Sequence, residues 1–206
     1  MLGDYTVERL AGGNRYETNL KILKAANVKE GSELIVATGT NFADSLSASA
    51  AKLPILMVKK ALTADQKAFL GTMKPSKIYI VGGESADVPA VEAELKAYGN
   101  PVRLAGDNRR ETSIKVAEAF AKDSKVAVVA SAANFPDGLC GGPLAAALDA
   151  PLILTTDKNY KEADTYMNTK GITAGYVLGG TSALIDDAVV AVYNLNNAGE
   201  IKAVTK

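Results

Sequence analysis

The side chains with the clearest chemical purpose are arginines that recur in a fixed setting. Arg15 follows Asn14 and Arg109 follows Asn108, each pair opening what reads as a helix, while Arg9 and Arg103 precede them by six residues. A guanidinium beside the unbonded N–H groups of a helix start suits a phosphate or carboxylate, because dipole and charge both draw an anion. The same cation can instead clamp an internal carboxylate, such as Asp44, Asp137 or the glutamates of the helix starts. Both readings remain open. Gly82-Gly83 and Gly179-Gly180 follow strands as phosphate-cradling loops do, but they lack the P-loop lysine and the spaced glycines of the dinucleotide fingerprint. Tight turns with positive φ account for them. Ser49-Ala-Ala-Lys52 has the Ser-x-x-Lys spacing of an acyl-transfer nucleophile, yet no Ser-Asp-Asn or Lys-Thr-Gly follows. It reads as a packing serine and a solvated lysine. Asp44 and Asp137 resemble a glycosidase acid and base in type, but equivalent places in repeated units predict two like environments rather than two tuned apart.

Composition narrows the chemistry further. The 206 residues include no histidine and one cysteine, Cys140. Ser-His-Asp and Cys-His nucleophiles, histidine-bearing zinc sites and intrachain disulfides are thereby excluded. No catalytic residue, cofactor or metal is expected. The 23 basic and 23 acidic side chains cancel, which argues against a general nucleic-acid binder. Eight tyrosines and four phenylalanines are scattered, without a stacking platform. No run reaches the roughly 18 apolar residues of a membrane span, and the first residues lack the basic start and apolar stretch of a secretory signal.

What positions the arginines is an internal duplication. Arg9-Leu-Ala-Gly-Gly-Asn-Arg-Tyr-Glu-Thr18 recurs as Arg103-Leu-Ala-Gly-Asp-Asn-Arg-Arg-Glu-Thr112, and Asn41-Phe-Ala-Asp-Ser-Leu46 as Asn134-Phe-Pro-Asp-Gly-Leu139. Pro54-Ile-Leu-Met57 returns as Pro151-Leu-Ile-Leu154, and Ile80-Val-Gly-Gly83 as Val177-Leu-Gly-Gly180. Four motifs in one order define two copies, residues 1–100 and 101–206. Short β-branched runs at 5–10, 34–38, 54–58 and 77–81 alternate with helical segments at 15–26, 42–52, 64–73 and 88–98. The second copy has strands at 101–104, 125–130, 151–154 and 175–178. Near-continuous apolar strands between helices predict an α/β fold of two tandem doubly wound units, each a mainly parallel sheet flanked by helices. Asn14 with Glu17, and Asn108 with Glu111, have capping-box spacing; Asn41 with Asp44, and Asn134 with Asp137, read as a shorter version. Residues 199–204 resemble the strand that opens the second copy, so the chain reads as starting a third unit, or as closing its second sheet.

These motifs resemble the cell wall binding repeat type 2, a module of clostridial surface-layer and cell wall proteins. The resemblance covers both copies and implies small doubly wound α/β units that anchor exported proteins non-covalently to anionic polymers of the Gram-positive wall. The implied partner is a teichoic-acid-like or secondary wall polysaccharide, without nucleic acid and without a membrane span. The implied location is the cell surface, the signal peptide having been removed. The family pattern falls on Arg9, Gly12, Arg15, Glu17, Thr18, Asn41, Asp44, Pro54, Gly82 and Gly83, and on their second-copy partners. The candidate ligand-binding set is therefore Arg15, Arg109, Arg9, Arg103, Asn14, Asn108, Thr18, Thr112, Asn41 and Asn134. Two departures stand out: Arg110 replaces the tyrosine found at residue 16, and two copies stand where the family packs three as a triangle. Three-fold self-association or a missing third copy would restore that triangle. The competing functions are a small α/β enzyme acting on a phosphorylated or sugar substrate, and a protein–protein scaffold.

Overall fold

The computed structural model describes residues 6–83 and 89–193. Strands β1 (Leu34–Thr38), β2 (Ile55–Val58), β3 (Ile78–Val81) and β4 (Pro101–Leu104) form one sheet in the order β2-β1-β3-β4. Strands β5 (Val126–Ser131), β6 (Leu152–Thr155) and β7 (Ala174–Val177) form a second in the order β6-β5-β7. Every pairing is parallel. Helices α1 (Arg15–Ala25), α2 (Ala43–Ala48), α3 (Ala64–Met73) and α4 (Pro89–Leu95) alternate with the first strands, and α5 (Arg109–Phe120), α6 (Pro136–Ala147), α7 (Lys161–Lys170) and α8 (Asp186–Val192) with the second set. The chain is a tandem α/β protein.

Alternation within β1 shows why its run is apolar throughout. Leu34 and Val36 face α1, α3 and α4 through Leu20, Leu70 and Val91. Ile35 faces the opposite side, where Ala48 of α2 and Val116 of α5 cover the sheet. Both faces are buried, as a parallel sheet requires. In each copy the helix after the arginine loop is also hydrogen-bonded to the outer strand. The Asn19 side chain exchanges bonds with Ile55 O and Met57 N, and Ser113 Oγ accepts from Leu154 N.

The sheets and the sequence repeats are offset by one strand. β4 lies at the start of the second copy, yet it pairs with β3, Ile80 opposite Arg103. The corresponding run at 5–10 was expected to be a strand; its described residues, 6–10, form none, and Val7 is 70% exposed. The physical reason is that an opening strand bonds to the sheet before it, as β4 does to β3, and among the described residues no sheet stands before residues 6–10. The third-unit strand expected at 199–204 lies outside the described residues. The helix expected at 42–52 ends early: one 3-10 turn follows α2, and Lys52 then adopts φ +59°.

The copies meet where α2 and its 3-10 turn lie against α5 and α6. Leu46, 6% exposed, packs on Gly138, and Phe42 meets Phe135 with ring centres 5.7 Å apart. Val116 and Phe120 of α5 reach the first sheet, Phe120 meeting Tyr79 edge-on at 4.8 Å. Burying a side chain such as Leu46 or Val116 contributes about 1.5–3 kcal/mol. The Lys52–Asp149 ion pair at the same junction is largely exposed, a setting worth about 0–1 kcal/mol. Apolar packing therefore holds the copies together. Gly142 allows the closest approach, since a Cβ there would stand 1.8 Å from Ser49 Oγ and 2.6 Å from Ser49 Cβ. Replacing Gly142 with Ala should lower stability by about 1–3 kcal/mol, read as a fall in the urea midpoint. An unchanged midpoint would mean that the helices have room to part.

Candidate functional site at the junction of the two copies

The repeated arginine motif folds into the same loop twice. Asn108 Oδ1 accepts from Arg110 N and Glu111 N at 3.0 and 3.1 Å, capping α5. Glu111 reaches back further than a capping box requires, Oε2 accepting from Asp107 N and Oε1 from Asn108 Nδ2. Thr112 Oγ1 accepts from Gly106 N. Asn14, Glu17 and Thr18 repeat each contact in the first copy. The loop folds so tightly that a Cβ on Gly106 would lie 2.2 Å from Glu111 Cβ. Asparagine, glycine, glutamate and threonine of the motif thus serve the loop's own shape. The arginine then ties this loop to the next strand end: Arg109 Nη1 donates to Ala132 O and Arg15 Nη1 to Gly39 O, both at 2.8 Å.

A cleft of about 520 Å³ opens where this loop of the second copy faces the first. Thr40, Asn41, Asp44 and Gly83 line one side, Asn108, Arg109 and Arg110 the other. The C-terminal ends of parallel strands converge there, the usual binding edge of an open sheet. Arg109 is half-buried, its guanidinium carbon 5.3 Å from the Phe42 ring centre. It makes no ion pair within 4 Å among the described residues, so most of its five N–H donors remain for the cleft. Burial pushes the Asp44 carboxyl above its ordinary 3.8, and the Arg109 charge opposes that shift in part.

The expected residues divide among four places. Asn41, Asn108, Arg109 and Thr112 line the cleft. Arg9, Asn14, Arg15 and Thr18 lie at the free end of the first copy, where Arg9, Asn14 and Arg15 are exposed. Asn134 is exposed at the opposite end. Arg103 is closed into a clamp, donating to Gly82 O at 2.7 Å and pairing with Glu92. Asn41 and Asn134 do not cap their helices as expected; the cap positions are Phe42 and Phe135, without side-chain capping bonds. Asn41 Oδ1 reaches only Ala43 N, at 3.3 Å. Asp44 and Asp137 do not share one environment either, since Arg109 faces Asp44 and no arginine follows Arg110 in the chain.

Thr40 and Thr156 also line the cleft, and their signal was a polar residue just beyond a strand's C-terminal end. Gly82 and Gly179, at φ +117° and +96°, are turn glycines. Ser49 Oγ bonds to Leu46 O, and Lys52 pairs with Asp149, so the Ser-x-x-Lys spacing assembles no nucleophile.

Residues 9–92 and 103–190 each match the family described as cell wall binding domain 2 (CWB2). The chain belongs to that family. It is 30% identical over 204 residues to the N-acetylmuramoyl-L-alanine amidase LytC of Bacillus subtilis (strain 168), covering 94% of this chain and 39% of that protein. It is also 30% identical over 162 residues to the amidase enhancer of the same organism, covering 76% and 23%. Among solved structures it is similar to Cwp8 from Clostridium difficile, with TM-score 0.77 and 30% identity over 92% of this chain and 34% of that one. Cwp6 from the same species gives TM-score 0.76 and 25% identity over 89% and 31%. The chain thus spans about two-fifths or less of each of these proteins. It is a cell wall binding module of two CWB2 copies, associated with the wall or cell surface. No described helix is long and apolar enough to cross a membrane.

The cleft makes a pH prediction. With its folded pKa raised, Asp44 holds its proton in the native state while the unfolded chain releases it, so its contribution to stability falls as pH rises from 3.8 through the raised value. Asp44→Asn should therefore gain stability over the parent as pH rises above about 3.8. Denaturant midpoints across that range measure the difference, and one that stays flat with pH would contradict the buried-carboxyl account.

Proposed function

We propose that this module anchors a larger exported protein, non-covalently and without catalysis, to an anionic polymer of the Gram-positive wall. The observation that supports this reading is the junction cleft, where Arg109 keeps unused donors opposite a carboxyl whose charge burial disfavours. An oxyanion entering there gains charge-assisted bonds from Arg109. The exposed Arg15 offers a second, incomplete contact. Two carboxylates, Asp44 and Asp107, and two guanidiniums, Arg109 and Arg110, line the cleft, and their proposed role is binding and not catalysis.

The two ends of the module support three-fold association. Val116, 3% exposed, is buried at the junction, while its first-copy counterpart Ile22 is 48% exposed. Leu46 is likewise buried at 6%, while its counterpart Leu139 is 59% exposed and Phe135 51%. Each end thus carries the unmatched half of one interface, complementary to the other, and a further CWB2 copy from another chain fits both.

Binding of the chain to purified Gram-positive walls, with and without extraction of anionic polymer, tests the reading. Binding should disappear on extraction and weaken with salt; Arg109→Ala should cost about tenfold, one charge-assisted contact, and Arg15→Ala less. Equal binding to extracted walls would refute it. Sedimentation at rising concentration should show species heavier than 21.4 kDa, lost in Leu139→Asp. A monomer at every concentration would remove the self-association.

A further inference from the structure

The two copies differ sharply in one place outside the cleft. Between α5 and α7 runs a groove of about 670 Å³ whose lining includes Ile114, Glu118, Lys158, Thr165, Tyr166 and Lys170. The matching positions of the first copy are Leu20 and Lys24 on α1, Ala68, Phe69 and Met73 on α3, and Ala61 just before α3. Met73 is 3% exposed and belongs to the first core, and Phe69 packs against it. The shared scaffold is therefore stable with apolar residues at four of these positions, where the second copy has Thr165, Tyr166, Lys170 and Lys158 in place of Ala68, Phe69, Met73 and Ala61.

Surface drift does not explain Tyr166. The residue is 4% exposed, and its hydroxyl finds no hydrogen-bond partner among the described residues. An unpaired buried hydroxyl is costly, and phenylalanine, which the first copy uses, avoids that cost. Burial, with a smaller push from Glu118, raises this hydroxyl to about 12, so it stays a donor at neutral pH. The charges around it favour an anion. Glu162 is held by Arg110 at 3.0 Å and Glu118 by Lys115 at 3.0 Å, whereas the Lys158 and Lys170 ammonium groups have no ion pair among the described residues.

We propose that the α5–α7 groove is a second binding site, present in the second copy alone, for a sugar residue carrying a phosphate or carboxylate. Tyr166 Oη donates to a sugar or acid oxygen from below, Lys158 and Lys170 meet the anionic group, and the Glu118 carboxylate accepts from sugar hydroxyls. Ile114 supplies the apolar floor. The volume suits one or two sugar rings. The site does not depend on the junction cleft, although the Arg110–Glu162 pair lies between them.

The test is a 15N NMR titration of the chain with glucose 1-phosphate, glucuronic acid, glucose and inorganic phosphate. Glucose 1-phosphate or glucuronic acid should shift amides of α7 and of residues 114–118, and the stronger of the two tells which acid the groove takes. Tyr166→Phe and Lys170→Met, each restoring the first copy's residue, should weaken binding about tenfold without lowering the thermal midpoint. Arg109→Ala should leave the groove response intact. Equal binding of glucose or of phosphate alone, an absent groove response, or unchanged affinity in both variants overturns the proposal.

Discussion

The structure depends on α5 being shared between two cores. Val116 lies on the back of the first sheet, while Ala117, one residue on, belongs to the core of the second. Adjacent helical positions point about 100° apart, so one helix covers both surfaces only if the sheets flank it. That requirement places β4 in the first sheet and sends the loop between β4 and α5 across the strand ends of the first copy. The cleft follows from this geometry and not from any single motif residue. Without Val116 and Phe120 buried against Tyr79, the Asn108-Arg109 loop would keep its shape and lose its opposing wall.

A site built between successive copies is counted differently from a site built within each. Two copies in line make one junction, so one set of candidate residues faces a partner and the other does not. Arg15 and Arg109 accept the same local geometry and make the same carbonyl bond. Only Arg109 has a preceding copy across from it. The same asymmetry appears in apolar terms, since Ile22 and Leu139 are exposed where Val116 and Leu46 are buried. Polar and apolar halves are left unmatched together because one contact creates both.

The duplication, the parallel strands and the capped arginine loops were legible because each depends on local spacing: apolar runs, Asn with Glu three residues on, glycine where a Cβ has no room. The offset between repeat and sheet was not legible. Sequence similarity marks where a unit recurs, whereas strand pairing depends on which sheet edge is within reach, and residues 6–10 have the sequence of β4 without its edge. The separate fates of the arginines were hidden for a related reason. Arg103 and Arg109 carry the same charge, but Arg103 of β4 pairs with Glu92 of α4, a contact made across 11 residues. The charge that Asp44 meets likewise comes from Arg109 of the second copy, far along the chain.

A chain with no net charge can still hold a polyanion, and the distances decide it. At physiological ionic strength, exposed charges more than about 8 Å apart are largely screened, so the total of 23 against 23 exerts little pull on a polymer at the surface. What acts is the charge within one ligand radius. In the cleft that is Arg109 with donors to spare, beside Arg110, which is paired with Glu162, and the carboxyls of Asp44 and Asp107. Sites of this kind are weak singly, because entry of an anion must displace water from polar walls. A repeating polymer alters the balance, since a second contact on the same strand costs little further freedom once the first is made, and millimolar effective concentrations between tethered sites raise apparent affinity by roughly a hundredfold or more. On the proposed reading, retention comes from the number of junctions a polymer spans and their spacing, and not from the strength of any one contact.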